Sequence, residues 1–164
     1  KRGLSYGASS RLSANRTTGS FRASAQTKNE SAPQVLELMT QEMTKLAATP
    51  AGAEELKARK SVLVGGYGRE LATTDGLANI LGNLALYGVP LDEITRYTAK
   101  VEAVSSAQVQ DFAGRRLDPG SASVIVAGDA KAFAAPLKAR LPNLETIPLD
   151  QLDLDSPSLR KAGS

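Results

Sequence analysis

The chain of 164 residues contains no histidine, no cysteine and no tryptophan. Without histidine it lacks the side chain that most often serves as general base near neutral pH, and the commonest protein ligand for zinc. Without cysteine it lacks thiolate ligands, a thiol nucleophile and disulfides. That second absence fits a reducing cytoplasm and a bacterial periplasm equally. Aromatic residues make up only 4% of the chain, so the core must be built from Ala, Leu and Val. No apolar run approaches the ~20 residues that a bilayer-spanning helix requires, and no secretory signal is visible. The chain opens on Lys1, directly in patterned sequence. The natural N-terminus is therefore expected upstream, where a removed export signal would leave no trace. On that basis the bacterial periplasm is favoured slightly over the cytoplasm.

What is present is ordinary for one soluble globular domain: 41% hydrophobic and 23% charged residues with a formal net charge of +3. The charges are interleaved, as in Glu54-Glu55-Leu56-Lys57-Ala58-Arg59-Lys60. A nucleic-acid surface would show a one-signed stripe with stacking aromatics. Neither stands out, so nucleic acid is not an expected partner.

Residues 3–28 are predicted to form a β-hairpin. Leu4, Tyr6, Ala8 and Ser10 alternate with Ser5, Gly7, Ser9 and Arg11. A turn at residues 15–19 leads to a return strand in which Phe21, Ala23 and Ala25 alternate with Arg22, Ser24 and Gln26. Helical periodicity then follows. Residues 32–48 carry Val35, Leu36, Met39, Met43 and Leu46 on one face, with Pro33 in the first turn and a capping-box spacing at Ser31 and Gln34. A second helix runs from about Gly52 to Ala72, with a stripe of Leu56, Leu63, Tyr67 and Leu71. Its Gly65, Gly66 and Gly68 are expected to allow close backbone packing. A phosphate loop is disfavoured there, because no strand precedes the glycines and no Gly-Lys-Ser/Thr follows.

Thr74 or Asp75 is expected to cap a third helix bearing Leu77, Ile80, Leu81, Leu84 and Tyr87. Asp92 is expected to cap a fourth, and Ser105 with Gln108 to box a fifth that carries Val109 and Phe112. The contiguous Val124-Ile125-Val126 predicts a strand over 123–127 that is buried on both faces. A last helix carries Phe133, Leu137 and Leu141, with Pro136 obscuring its start. Residues 144–149 suit a final edge strand, since Pro142 and Pro148 fit an edge better than a central strand. The order β-β-α-α-α-α-α-β-α-β predicts an α+β fold, an antiparallel sheet with helices packed on one face. Three or four strands are few for so many helices, so part of the sheet is expected to lie N-terminal to Lys1. The domain is assigned to residues 1–149, with 150–164 as a tail.

Several of these segments also resemble a known family. They are Arg2-Gly3-Leu4-Ser5-Tyr6, Gly19-Ser20-Phe21, Thr49-Pro50, Glu54-Glu55-Leu56 with Lys60, Thr73-Thr74-Asp75-Gly76-Leu77-Ala78, Leu86-Tyr87-Gly88, Val104-Ser105-Ser106-Ala107-Gln108-Val109, Leu117-Asp118-Pro119 and Val124-Ile125-Val126-Ala127-Gly128-Asp129. In order and spacing they resemble the insulinase/pitrilysin-like zinc peptidases, the inverted zincins related to mitochondrial processing peptidase. The resemblance covers roughly residues 1–141. In that family similar domains face one another in pairs around a chamber, and one of them holds zinc through a helical His-x-x-Glu-His and a distal Glu. A chain without histidine cannot do so.

The resemblance is therefore to the C-terminal, non-catalytic domain. It implies a metal-free wall of a peptide-cutting chamber, a dimeric pairing with a zinc-bearing domain or subunit, and a peptide substrate. An inert structural homologue that serves as an assembly scaffold is the alternative. The family's substrate-facing tyrosine matches Tyr6, whose hydroxyl would donate to a developing oxyanion. The pattern alone reads Tyr6 equally well as a packed strand aromatic. The family's companion arginine, seven residues earlier, falls before Lys1, and Arg2 does not match it. No catalytic and no metal-binding residue is assigned. Asp129 reads as a turn residue or helix cap, Glu54, Glu55 and Lys60 as a solvated face, and Asn79 with Asn83 as an exposed pair or a bridge to a partner.

Overall fold

The computed structural model describes residues 3–161. The notable outsiders are Arg2 of the N-terminal motif and the end of the tail. The fold is α+β, with one antiparallel strand pair and six α-helices among the described residues. Strand β1 spans Ser5–Ala14 and β2 Gly19–Thr27. The helices are α1 (Ala32–Ala48), α2 (Ala53–Leu71), α3 (Thr74–Leu86), α4 (Glu93–Ala103), α5 (Ser106–Arg116) and α6 (Ala130–Lys138). The chain divides into two compact units, one of residues 3–8, 25–38 and 123–161, the other of residues 9–24 and 39–122.

Two observations fix the hairpin register. The Asn15 N–H donates to the Thr18 carbonyl at 2.8 Å across a two-residue loop, and the Ser9 and Ser24 hydroxyls lie 3.1 Å apart. Both correspond to the same pairing, which sets Leu12 opposite Phe21 and Arg11 opposite Arg22. Along β2 the positions Phe21, Ala23, Ala25 and Thr27 are half-buried while their neighbours are exposed, the period-2 pattern of a strand with two unlike faces.

In the first unit the core is small. Leu137 is fully buried, and Phe133 and Ala32 pack with it, flanked by Leu36, Ala130 and Leu144. The turn before α1 meets the start of α6. The Asn29 Oδ1 accepts from the Asp129 N–H at 3.3 Å, and a Cβ on Gly128 would fall 2.5 Å from that same oxygen. The Asp129 carboxylate accepts from the Lys131 N–H and caps α6. In the second unit α2, α3 and α4 pack on one another. The Lys60 ammonium donates to the Glu102 carbonyl at the negative end of α4, at 2.6 Å. On α5, Gln110 donates to the Ala47 carbonyl in the last turn of α1 and Ser106 to the Ala51 carbonyl in the loop that follows it.

The junction between α2 and α3 is the tightest in that unit. The Thr73 hydroxyl donates to the Glu70 carbonyl and accepts from the Gly76 N–H, both at 3.1 Å. Thr73, rather than Thr74 or Asp75, is therefore the cap. A Cβ on Gly76 would fall 2.1 Å from the Glu70 oxygen, so no side chain fits there. At its other end α3 closes on Gly88 with φ +66°; the Gly88 N–H donates to Ala85 and the Val89 N–H to Leu84, a Schellman closure.

Several expectations are corrected. Neither 123–127 nor 144–149 is a strand: the single described sheet has two strands, and no third lies alongside to accept their backbone hydrogen bonds. Residues 123–127 remain outside any ladder and Ile125 is 89% exposed, the opposite of a doubly buried strand. The chain enters α1 through a 3-10 turn at Asn29–Ser31, so the extended residue ahead of the helical stretch is Lys28 and not Ser31. The Asp92 carboxylate pairs with Arg96 at 2.6 Å instead of capping α4. No backbone approaches Gly65, Gly66 or Gly68 closely; the nearest atoms to the first two are the Arg69 guanidinium, and Gly68 has none within 4 Å. Leu63, Leu77, Tyr87 and Phe112 carry the right period yet lie on open sides of their helices.

Gly68→Ala and Gly76→Ala are expected to move stability in opposite directions. The first should raise it by about 0.5–1 kcal/mol, the helix-propensity gain at an open site. The second should lower it by about 1–3 kcal/mol or prevent folding, through the clash with Glu70. Urea unfolding of both variants checks the pair.

Candidate functional site

Among the residues implicated by sequence, Tyr6 is held by β1, one residue into the strand. Its side chain is 88% exposed, so the packed-aromatic alternative does not describe it. Among the described residues its hydroxyl has no hydrogen-bond partner, which leaves a phenol free to donate. The Thr27 hydroxyl donates to the Leu4 carbonyl at 2.5 Å, tying the open end of the hairpin beside it. Strand alternation puts Tyr6 on the same side of β1 as Leu12, itself exposed.

The other candidates sit elsewhere and do structural work. Asp129 caps α6. Glu54 and Glu55 are exposed in the first turn of α2, and Lys60 is committed to the end of α4. Asn79 and Asn83 are exposed on α3. Among the described residues no three acidic side chains gather into a group able to hold a metal ion. With imidazole and thiolate absent from the whole chain, the donor set does not fit zinc.

A second tyrosine escaped the sequence reading as anything but a stripe residue. The Tyr67 hydroxyl on α2 donates to the Ile94 carbonyl at 3.1 Å, and its ring meets Tyr97 of α4 with centroids 4.2 Å apart. Burial pushes its pKa above the ordinary phenol value, with Tyr97, Glu93 and Glu70 adding in the same direction. The Ile94 carbonyl lies in the first turn of α4, so this bond fastens α2 to α4. The spacing of Tyr67 and Tyr97, each on its helix's apolar stripe, is the only signal the sequence offers for the pair.

With this geometry in view, comparison with known proteins gives one positive result. Residues 1–63 match the family model of the Peptidase M16 inactive domain. The matched stretch holds the hairpin with Tyr6, helix α1 and the first half of α2. No curated protein matches the chain. The N-terminal part of the chain is thus similar to the non-catalytic domain of a peptidase family.

The raised Tyr67 pKa has a definite sign. Between the unfolded and folded values the unfolded chain has lost the phenolic proton while the folded chain keeps it, so stability falls as pH rises through the unfolded value near 10. Ultraviolet titration of the four tyrosines should show one late-ionising component, and Tyr67→Phe should remove it. Persistence of that component in the variant would count against the assignment.

Proposed function

We propose that this chain is the substrate-positioning, non-catalytic half of a zinc-dependent metalloendopeptidase. It forms one wall of a chamber opposite a zinc-bearing domain or subunit, in a dimeric arrangement of like folds. The working domain in this reading is residues 1–149, with 150–164 as a tail. The observation that carries the reading is the similarity of residues 1–63 to the Peptidase M16 inactive domain, in a chain without histidine or cysteine. The partner supplies the metal and the activated water. This chain supplies orientation.

Tyr6 is the residue assigned to the substrate. A phenol on a strand, open to solvent and unencumbered by an internal hydrogen bond, suits donation to the carbonyl oxygen of a bound peptide. The value of such a donor rises as charge develops on that oxygen, because the bond to an oxyanion is stronger than the bond to a neutral carbonyl.

In the assembly with the zinc-bearing partner, Tyr6→Phe is expected to lower kcat/KM for a reporter peptide by about 10²-fold, the scale for one oxyanion donor. Its melting temperature should stay unchanged, since the lost hydroxyl has no partner within the described residues. Unaltered turnover in that variant would remove Tyr6 from the substrate site. Zinc-dependent cleavage by this chain alone would overturn the division of labour itself.

A further inference from the structure

The hairpin has a second face, and its chemistry differs from the Tyr6 side. The register places Ser9 opposite Ser24, Arg11 opposite Arg22 and Ser13 opposite Ser20, all on that face. Across the hairpin, residues 5–27 include Arg11, Arg16 and Arg22 and not one aspartate or glutamate. All three arginines are exposed. The interleaving of charges that describes the helices therefore fails here, and only the register reveals that two of the cations share one rung.

Two guanidinium groups on directly opposite positions repel each other, with Cβ atoms about 5 Å apart. Four arginines elsewhere pair with carboxylates: Arg96 with Asp92 at 2.6 Å, Arg115 with Asp111 at 2.5 Å, Arg140 with Glu37 at 2.9 Å and Arg160 with Glu145 at 3.6 Å. Arg11 and Arg22 have no such partner among the described residues. Each is instead flanked along its strand by serine hydroxyls, about 7 Å away on either side at the two-residue repeat of a strand. The face is thus a short ladder of hydroxyl, guanidinium and hydroxyl rungs with one sign of charge.

We propose that this face of the hairpin binds an extended acidic peptide segment. An extended chain repeats its side chains at the same ~7 Å as the ladder, so carboxylates on alternate residues meet the guanidinium rung and the hydroxyl rungs in register. The Arg fork takes a carboxylate through two parallel N–H bonds, and a pair of forks on one rung holds it from both sides. Nucleic acid is the less suited anion, because this face offers no aromatic ring for bases to stack on. The inference is independent of the peptidase reading, since it uses only the register and the charge and needs no metal-bearing partner.

The test is fluorescence anisotropy on the full chain with a labelled decapeptide of alternating Glu and Gln, against an all-Gln control and a single-stranded oligonucleotide of equal length. The acidic peptide should bind, the Gln peptide should not, and binding should weaken with added salt. Arg11→Gln with Arg22→Gln should reduce affinity by about tenfold or more, while the Arg11→Lys, Arg22→Lys variant, which keeps the charge and loses the forks, should fall between. Arg11→Gln alone should raise the melting temperature, as it removes the like-charge rung. As a control, Arg59→Gln with Arg116→Gln should leave affinity unchanged. Equal loss in that control, equal or tighter binding of the oligonucleotide, or no response to the rung substitutions would overturn the proposal. So would self-association abolished by those same substitutions, which would give the face to a second copy of the chain.

Discussion

A strand can satisfy its backbone only sideways, and the hairpin is where this chain does so over any length. The register of that one pairing decides which side chains share a face. It sets Tyr6 on the side with Leu12 and Phe21, and it brings Arg11 and Arg22 onto one rung away from them. A slip of one residue would exchange the two faces. The Asn15–Thr18 loop bond and the Ser9–Ser24 hydroxyl contact hold the register from the turn and from mid-strand.

The helices depend on a different constraint, the close approach of backbones at their junctions. Thr73 bonds to the end of α2 and the start of α3 with one hydroxyl, and that geometry leaves room only for a glycine at position 76. The turn before α1 makes a softer demand on Gly128, because what a Cβ would meet there is the Asn29 side chain and not backbone. A chain with few aromatics has small interlocking contacts in place of large ones. Leu137 and Phe133 provide the densest packing in their unit, while much of the remaining apolar surface is only half-buried.

Much of this was legible in the sequence. The helix at 32–48 follows from the spacing of Val35, Leu36, Met39, Met43 and Leu46, and the Ser105–Gln108 box is present as written, with both reciprocal bonds formed. Local signals of this kind need no knowledge of the rest of the fold. Signals that depend on a distant partner were misread. Val124-Ile125-Val126 has strand composition, but a ladder needs a neighbour that the described residues do not provide. The glycines at 65, 66 and 68 resemble a packing patch, but the first two meet only Arg69 and the third meets nothing, whereas Gly76, in a less conspicuous context, is the one the backbone requires. The Tyr67 bond to Ile94 was hidden for the same reason, because periodicity marks a buried side of a helix without naming what lies across it.

The segment over 123–127 has a further consequence. Three consecutive β-branched residues stand outside any ladder, with Ile125 open to water and no charge between Ser121 and Gly128. Short, uncharged, β-prone stretches with free amide and carbonyl groups are templates for cross-chain pairing. A charged side chain at such a place acts as a gatekeeper against that pairing, and between Ser121 and Gly128 the chain carries none.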